Sequence, residues 1–339
     1  MIKIRAFNIS DLASLREALQ QAVKLEHATI PPYLTALYTL SNTGGGVAIA
    51  RSVLRGIVRQ EMLHMTLACN ILNAIGEAPK INDPAFVPAY PSALPMGVEV
   101  DLTVHLKRYS RDLVATTFMQ IEEPEVPLEI RVRTLADRSE VTTIGEFYVR
   151  IQEEIGRQGD TIFVPSFQSD AFGAIAVNSV DTARQAISII IQQGEGTPQS
   201  PAGGAATELA HYYRFQQLVK GMKAIQDPSE PIGWRFDPSQ PIIIDDSLDV
   251  RQMVDDPQLI HYEAADSVIA AMSDDCDKAY TAVLVALHEG FRGVAGRIDD
   301  SIDLMTGDLR SKITQLLTQP ISAGPHAGKF AGPRFKYAV

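Results

Sequence analysis

The chain has 339 residues, 45% of them hydrophobic, enough for a substantial core in one large domain or two ordinary ones. Its formal charge of −11 repels phosphate backbones and anionic lipid, so neither nucleic acid nor a membrane is an expected partner. The two cysteines, Cys69 and Cys276, sit in apolar helical patterns and can build neither a disulfide framework nor a thiolate metal site. No apolar run approaches the roughly eighteen residues of a membrane helix, and the amino terminus lacks the layout of a secretion signal. A cytoplasmic location is the expectation.

From Ser10 to Leu40, apolar residues at Leu12, Leu15, Leu19 and Ala22 mark one face of a helix, which Pro31 and Pro32 are expected to kink or restart. After Gly44-Gly45-Gly46, the series Val53, Ile57, Glu61, His64, Ala68, Ile71, Ile75 predicts a second long helix that stops at Gly76. Residues 77–97 read as a loop, and the alternation of Val98, Val100, Leu102, Val104 and Leu106 with polar residues predicts a short strand. Helical periods follow over Ser110–Ile121 and Thr143–Gly156, separated by a turn-like segment from Glu122 to Ser139. A further pair, Asp181–Gln193 and Ala205–Gln226, brackets a Gly/Pro loop. Residues 227–257 read as loop, and a last long helix is expected from Pro257 to Leu317 with a break near Gly307. The fold class is therefore all-α: a four-helix bundle with an extra carboxyl-terminal long helix, long loops and a short β segment. Residues 1–226 form the expected bundle and residues 227–339 pack on it.

Glu61-Met-Leu-His64 and Glu208-Leu-Ala-His211 each place a carboxylate and an imidazole three residues apart, on one face of a helix. A single such pair is weak evidence, since a solvated or satisfied helical pair is the commoner case. Here Glu61 and His64 lie on the stripe of a helix that is apolar nearly all round, and Glu208 and His211 continue through Phe215, Leu218 and Met222. The stripe of the first helix arrives at Glu26. Carboxylates aimed at one interior repel each other unless protonated or neutralised by cations, and imidazoles beside them favour metal ligation. Two such pairs with one Glu from each of two other helices make the ligand set of a di-metal carboxylate bundle. The remaining position falls to Glu146, which equally fits a capping box with Thr143, to Glu153 one turn-pair later, or to Glu195 between two glycines. His27 points away from Glu26 around the helix, His288 reads as a core histidine, and His105, His261 and His326 are weak candidates. The carboxylate-rich set suits two iron ions or two manganese ions, and ligand type alone leaves zinc open.

The stretches LEHATIPPYLTALYTL, VLRGIVRQEMLHMTLACNILNAIGEAP, TIGEFYVRI, QQGEG and ELAHYYRF together resemble the ferritin-like family of the iminophenyl-pyruvate dimer synthases, over roughly residues 10–225. Members of that family join two imine molecules derived from tryptophan oxidation in bis-indole pathways, and the pathway enzymes are much longer chains. The resemblance implies a metal shell of Glu26, Glu61, His64, Glu146 and His211, completed by Glu195 or Glu208. It also implies an oxidoreductase that uses dioxygen or peroxide on a small amino-acid-derived substrate such as an imine. A homo-oligomer is compatible with it. Iron handling without organic turnover is the alternative.

Overall fold

A computed structural model of the chain describes residues 4–5, 8–95, 102–124, 141–142, 144–197, 200–204, 208–263 and 266–338. Helix α1 (Leu12–Thr39) starts at Asp11, whose carboxylate accepts from the Ser14 N–H at 2.8 Å in a capping box. It runs unbroken through Pro31 and Pro32, so the expected restart does not occur. Pro32 cannot donate to the carbonyl four residues back, and the Tyr90 hydroxyl takes that place by donating to Ala28 O at 2.7 Å.

Helix α2 (Gly45–Ala74) ends where Gly76 takes φ +79°, as its glycine stop predicts. Residues 25–37 of α1 and 61–75 of α2 and its cap are buried on every side, so these segments form the centre of the molecule. Helix α3 (residues 111–121) opens on the Ser110 side chain and contains a π-helical turn, Val114–Phe118. Helices α4 (Ile144–Gln158) and α5 (Val180–Glu195) complete a four-membered ring: α1 packs on α2, α2 on α5, α5 on α4, and α4 on α1. This is the expected all-α bundle.

Helix α6 (His211–Lys220) is shorter than the helical period over 205–226 suggests. Gly221 adopts a left-handed conformation at φ +66° and closes it, and the following residues pair antiparallel as a hairpin of Met222–Gln226 with Trp234–Pro241. Part of the loop expected over 227–257 is therefore strand. A second, two-residue pairing joins Ile4–Arg5 to Val141–Thr142. The strand expected over 98–106 falls partly outside the described residues. Within them Leu102, Val104 and Leu106 are buried as alternation requires, but the only ladder contact is one bridge between Ser92 and Val104.

The last long helix, expected from Pro257, begins only at Ser267 after a separate helical turn at Ile260–Glu263, and it is two helices, α7 (Ser267–Phe291) and α8 (residues 297–316), folded back on each other. The break lies at Gly293 and Gly296, both at positive φ, and not near Gly307, which sits in a π-helical turn of α8. Gly290 permits the close return, because a Cβ there would lie 2.6 Å from Ile298 Cδ1. Tyr280, Leu284 and Leu287 of α7 share one hydrophobic cluster with Leu15 and Leu19 of α1.

Candidate metal centre

Five side chains from four segments meet inside the bundle: Glu26 on α1, Glu61 and His64 on α2, Glu122 after α3, and His211 at the start of α6. They fall into two triplets, Glu26–Glu61–His64 and Glu61–Glu122–His211, within each of which the ligand atoms lie within 4.8 Å of one another. Glu61 belongs to both. Each residue is buried, His211 completely.

The atom pattern is regular. Glu26 Oε2 lies 3.4 Å from His64 Nδ1, and its Oε1 accepts from the Tyr148 hydroxyl. Glu122 Oε2 lies 3.3 Å from His211 Nδ1, and its Oε1 accepts from the Tyr33 hydroxyl at 2.6 Å. Glu61 Oε1 lies 2.9 Å from His211 Nδ1, and its Oε2 accepts from the Thr29 hydroxyl at 2.9 Å. Both imidazoles turn Nδ1 inward and set Nε2 against a glutamine oxygen, His64 on Gln193 at 3.0 Å and His211 on Gln60 at 3.1 Å. A ring nitrogen that donates outward leaves the other free to ligate inward.

Burial, and then the neighbouring Glu122 and Glu26, push the Glu61 carboxyl well above its ordinary range. Burial and the same acids push the Tyr33 and Tyr148 phenols up, so they stay hydrogen-bond donors. Three crowded acids with two inward imidazole nitrogens form a donor set that hard or borderline divalent cations satisfy. The residues fit a two-ion centre.

The other sequence candidates lie elsewhere. Glu208 is exposed and precedes α6, which begins only at His211, so the second Glu-x-x-His spacing does not share a helical face. Its carboxylate pairs instead with Arg214 at 3.4 Å. Glu146 is half-buried in the first turn of α4, where Gly145 and not Glu146 lines the central cavity. Glu195 lines that cavity but stands outside both triplets, its Oε1 accepting from the Gly145 N–H at 2.9 Å. His27 is buried with Nε2 2.6 Å from the Tyr280 hydroxyl, and burial depresses its pKa to about 3. Sequence reasoning misses Glu122 because Glu123-Pro124 marks a turn. Its signal is the series Val114, Phe118, Glu122 in steps of four, which continues the core face of α3.

The cavity at the centre measures about 40 Å³, walled by Ile121, Ile144, Ile190 and Ile191 beside the acids. A helical bundle with a buried carboxylate–histidine cluster shared between its helices is the class these features define. A ferritin-like family model matches residues 19–220, which contain all five clustered side chains, and the chain belongs to the ferritin-like family. It is similar to the dichlorochromopyrrolate synthase of Lentzea aerocolonigenes, 23% identical over 97% of this chain and 36% of that protein. The chain thus spans about a third of that relative's length. A crystal structure of a ferritin like protein from Caulobacter vibrioides aligns with a TM-score of 0.66 at 22% identity, over 97% of this chain and 99% of that one, a likeness of fold. Among the described residues no helix is long and apolar enough to cross a membrane.

Proposed function

We propose that the protein is a di-metal carboxylate oxidoreductase of the ferritin-like family, using two iron or manganese ions with dioxygen or peroxide on a small amino-acid-derived compound such as an imine. The observation that carries the reading is the pair of triplets sharing Glu61. Glu26 Oε2 and His64 Nδ1 would hold one ion, Glu122 Oε2 and His211 Nδ1 the other, with Glu61 between them. Bound iron or manganese would supply the redox chemistry that the side chains lack.

The chain's own residues do the rest. Tyr148 and Tyr33 occupy the outer oxygens of Glu26 and Glu122, which leaves each terminal carboxylate one inward oxygen. Thr29 fixes the Glu61 carboxylate plane, and the isoleucines line the space with apolar surface. The substrate class rests on the family resemblance and on the synthase named among the relatives.

The small cavity favours a second reading, iron oxidation or handling without organic turnover, which needs access only for water-sized species. Protein purified under reducing conditions with iron supplied is expected to hold two equivalents by elemental analysis, and an iron-saturated preparation with none at the centre ends both readings. Dioxygen consumption then separates them. Uptake that depends on an added imine, amino acid or 2-oxo acid, with an oxidised product by mass spectrometry, supports the oxidoreductase. Uptake that follows ferrous iron alone supports iron handling.

A further inference from the structure

The nitrogen by which His211 could ligate is decided outside the centre. Gln60 Oε1 faces two groups at once, His211 Nε2 at 3.1 Å and the Arg214 Nη1 at 2.5 Å. A guanidinium only donates hydrogen bonds, so the carboxamide atom turned toward it must be the oxygen and not the amide nitrogen. The same oxygen then requires a proton on His211 Nε2, which leaves Nδ1 as the acceptor turned toward Glu61 and Glu122. Were the carboxamide reversed, its NH2 would face His211 Nε2, the ring proton would move to Nδ1, and the ligating lone pair would be lost.

The guanidinium is itself built in. Arg214 is only 9% exposed, donates from Nη2 to Val53 O at 3.2 Å, and meets Glu208 at 3.4 Å on its outer side. It occupies a notch that exists because residue 56 is glycine: a Cβ there would stand 2.1 Å from Nη2. We propose that Arg214 is the positioning residue of the second ion position. From the Gly56 notch it turns the Gln60 oxygen toward His211 and keeps Nδ1 the ligating nitrogen. Glu208, the acid of the second Glu-x-x-His spacing, thereby acts at one remove, as counter-ion to Arg214. The inference rests on the two-ion reading above and concerns only its His211 half, since His64 is held separately by Gln193.

The test is titration of Mn2+ alone into the metal-free full-length protein, with free ion counted by its electron paramagnetic resonance signal. Wild type is expected to take up two equivalents. Arg214→Met should weaken one of them by roughly 10- to 100-fold and leave the other unchanged, the size of effect usual for a group behind a ligating histidine. Gln60→Glu in the Arg214→Met background should restore the weakened equivalent, because a carboxylate presents an oxygen whichever way it turns. A role for Arg214 in packing alone would not be rescued.

Wild-type affinity in Arg214→Met overturns the proposal, and so does a loss that Gln60→Glu fails to restore. Failure of wild type to bind Mn2+ at all ends the two-ion reading and this inference with it. Should Arg214→Met lose its helical circular dichroism, Gly56→Ala, which displaces the guanidinium by contact, and its Gln60→Glu double variant give the same comparison.

Discussion

Glu122 and Glu208 exchange the roles that spacing alone would give them, and removing each makes the difference measurable. Glu122→Ala is expected to lower metal content by one equivalent and Glu208→Ala to retain both, read by elemental analysis; the reverse result would move the second ion position toward the surface. Glu61 carries a pH signature. Its folded pKa is raised above the ordinary 4.5, so its contribution to stability is fully present below about that value and is lost as pH rises through the folded pKa. Metal-free protein should therefore unfold at progressively lower temperature as pH rises, and Glu61→Gln, neutral throughout, should flatten that slope in thermal scans. Added metal should stabilise more at higher pH, because it replaces the proton. Glu26, Glu61, His64 and His211 were legible as inward residues because each lies on an apolar stripe. Glu122 was not, because a Glu-Pro dipeptide reads as a turn wherever the helix ends. Glu208 misled because three-residue spacing has meaning only inside a helix, and a Gly/Pro-rich insertion delays α6 to His211.

Among the elements, α1 shows how a distant side chain can overrule a local breaker. Proline pairs are read as helix stops because they strand carbonyls, yet Ala28 O is met by the Tyr90 hydroxyl across 62 residues of sequence. Tyr90→Phe leaves that buried carbonyl unpaired and is expected to cost about 1–3 kcal/mol of stability in denaturant titration, with metal content intact; an unchanged midpoint would mean that α1 tolerates the orphan. The bundle helices were readable from their stripes, whereas α7 and α8 merged into one period because apolar residues flank the break, Leu287 and Phe291 before it and Ile298 after it, and only Gly293 and Gly296 mark it. The π-helical turn in α3 was invisible to periodicity, since it changes the register inside a stretch that remains helical on either side.

At the scale of the molecule, the carboxyl-terminal segment joins the core. Residues 331–335 are buried, Arg334 donates to Asp277 at 2.5 Å and to Asp274 at 2.6 Å, and Phe335 packs edge-on to Tyr280, the partner of His27. Burial raises the Asp277 carboxyl and Arg334 opposes it. Arg334→Met should destabilise by about 3 kcal/mol, the low end for breaking a buried pair, because the Lys336 N–H still reaches Asp277. Calorimetry would show it as a lowered melting temperature.

The 40 Å³ beside Glu26, Glu61, His64 and Glu122 has a consequence of its own. A protein cavity that takes up benzene measures about 150 Å³, so under the proposed function the centre is expected to act as a sieve that admits dioxygen, water and azide and excludes an aromatic ring. In the proposed reaction, oxidant and organic reactant would then arrive on different clocks, the first by diffusion through the packed bundle and the second only as fast as Ile144, Ile190 or Ile191 yields. Ile190→Ala should quicken the approach of ring-sized probes and leave that of azide unchanged, as followed by stopped-flow absorbance of the cobalt-loaded protein; equal rates for both probes in the wild type would show that the sieve is open.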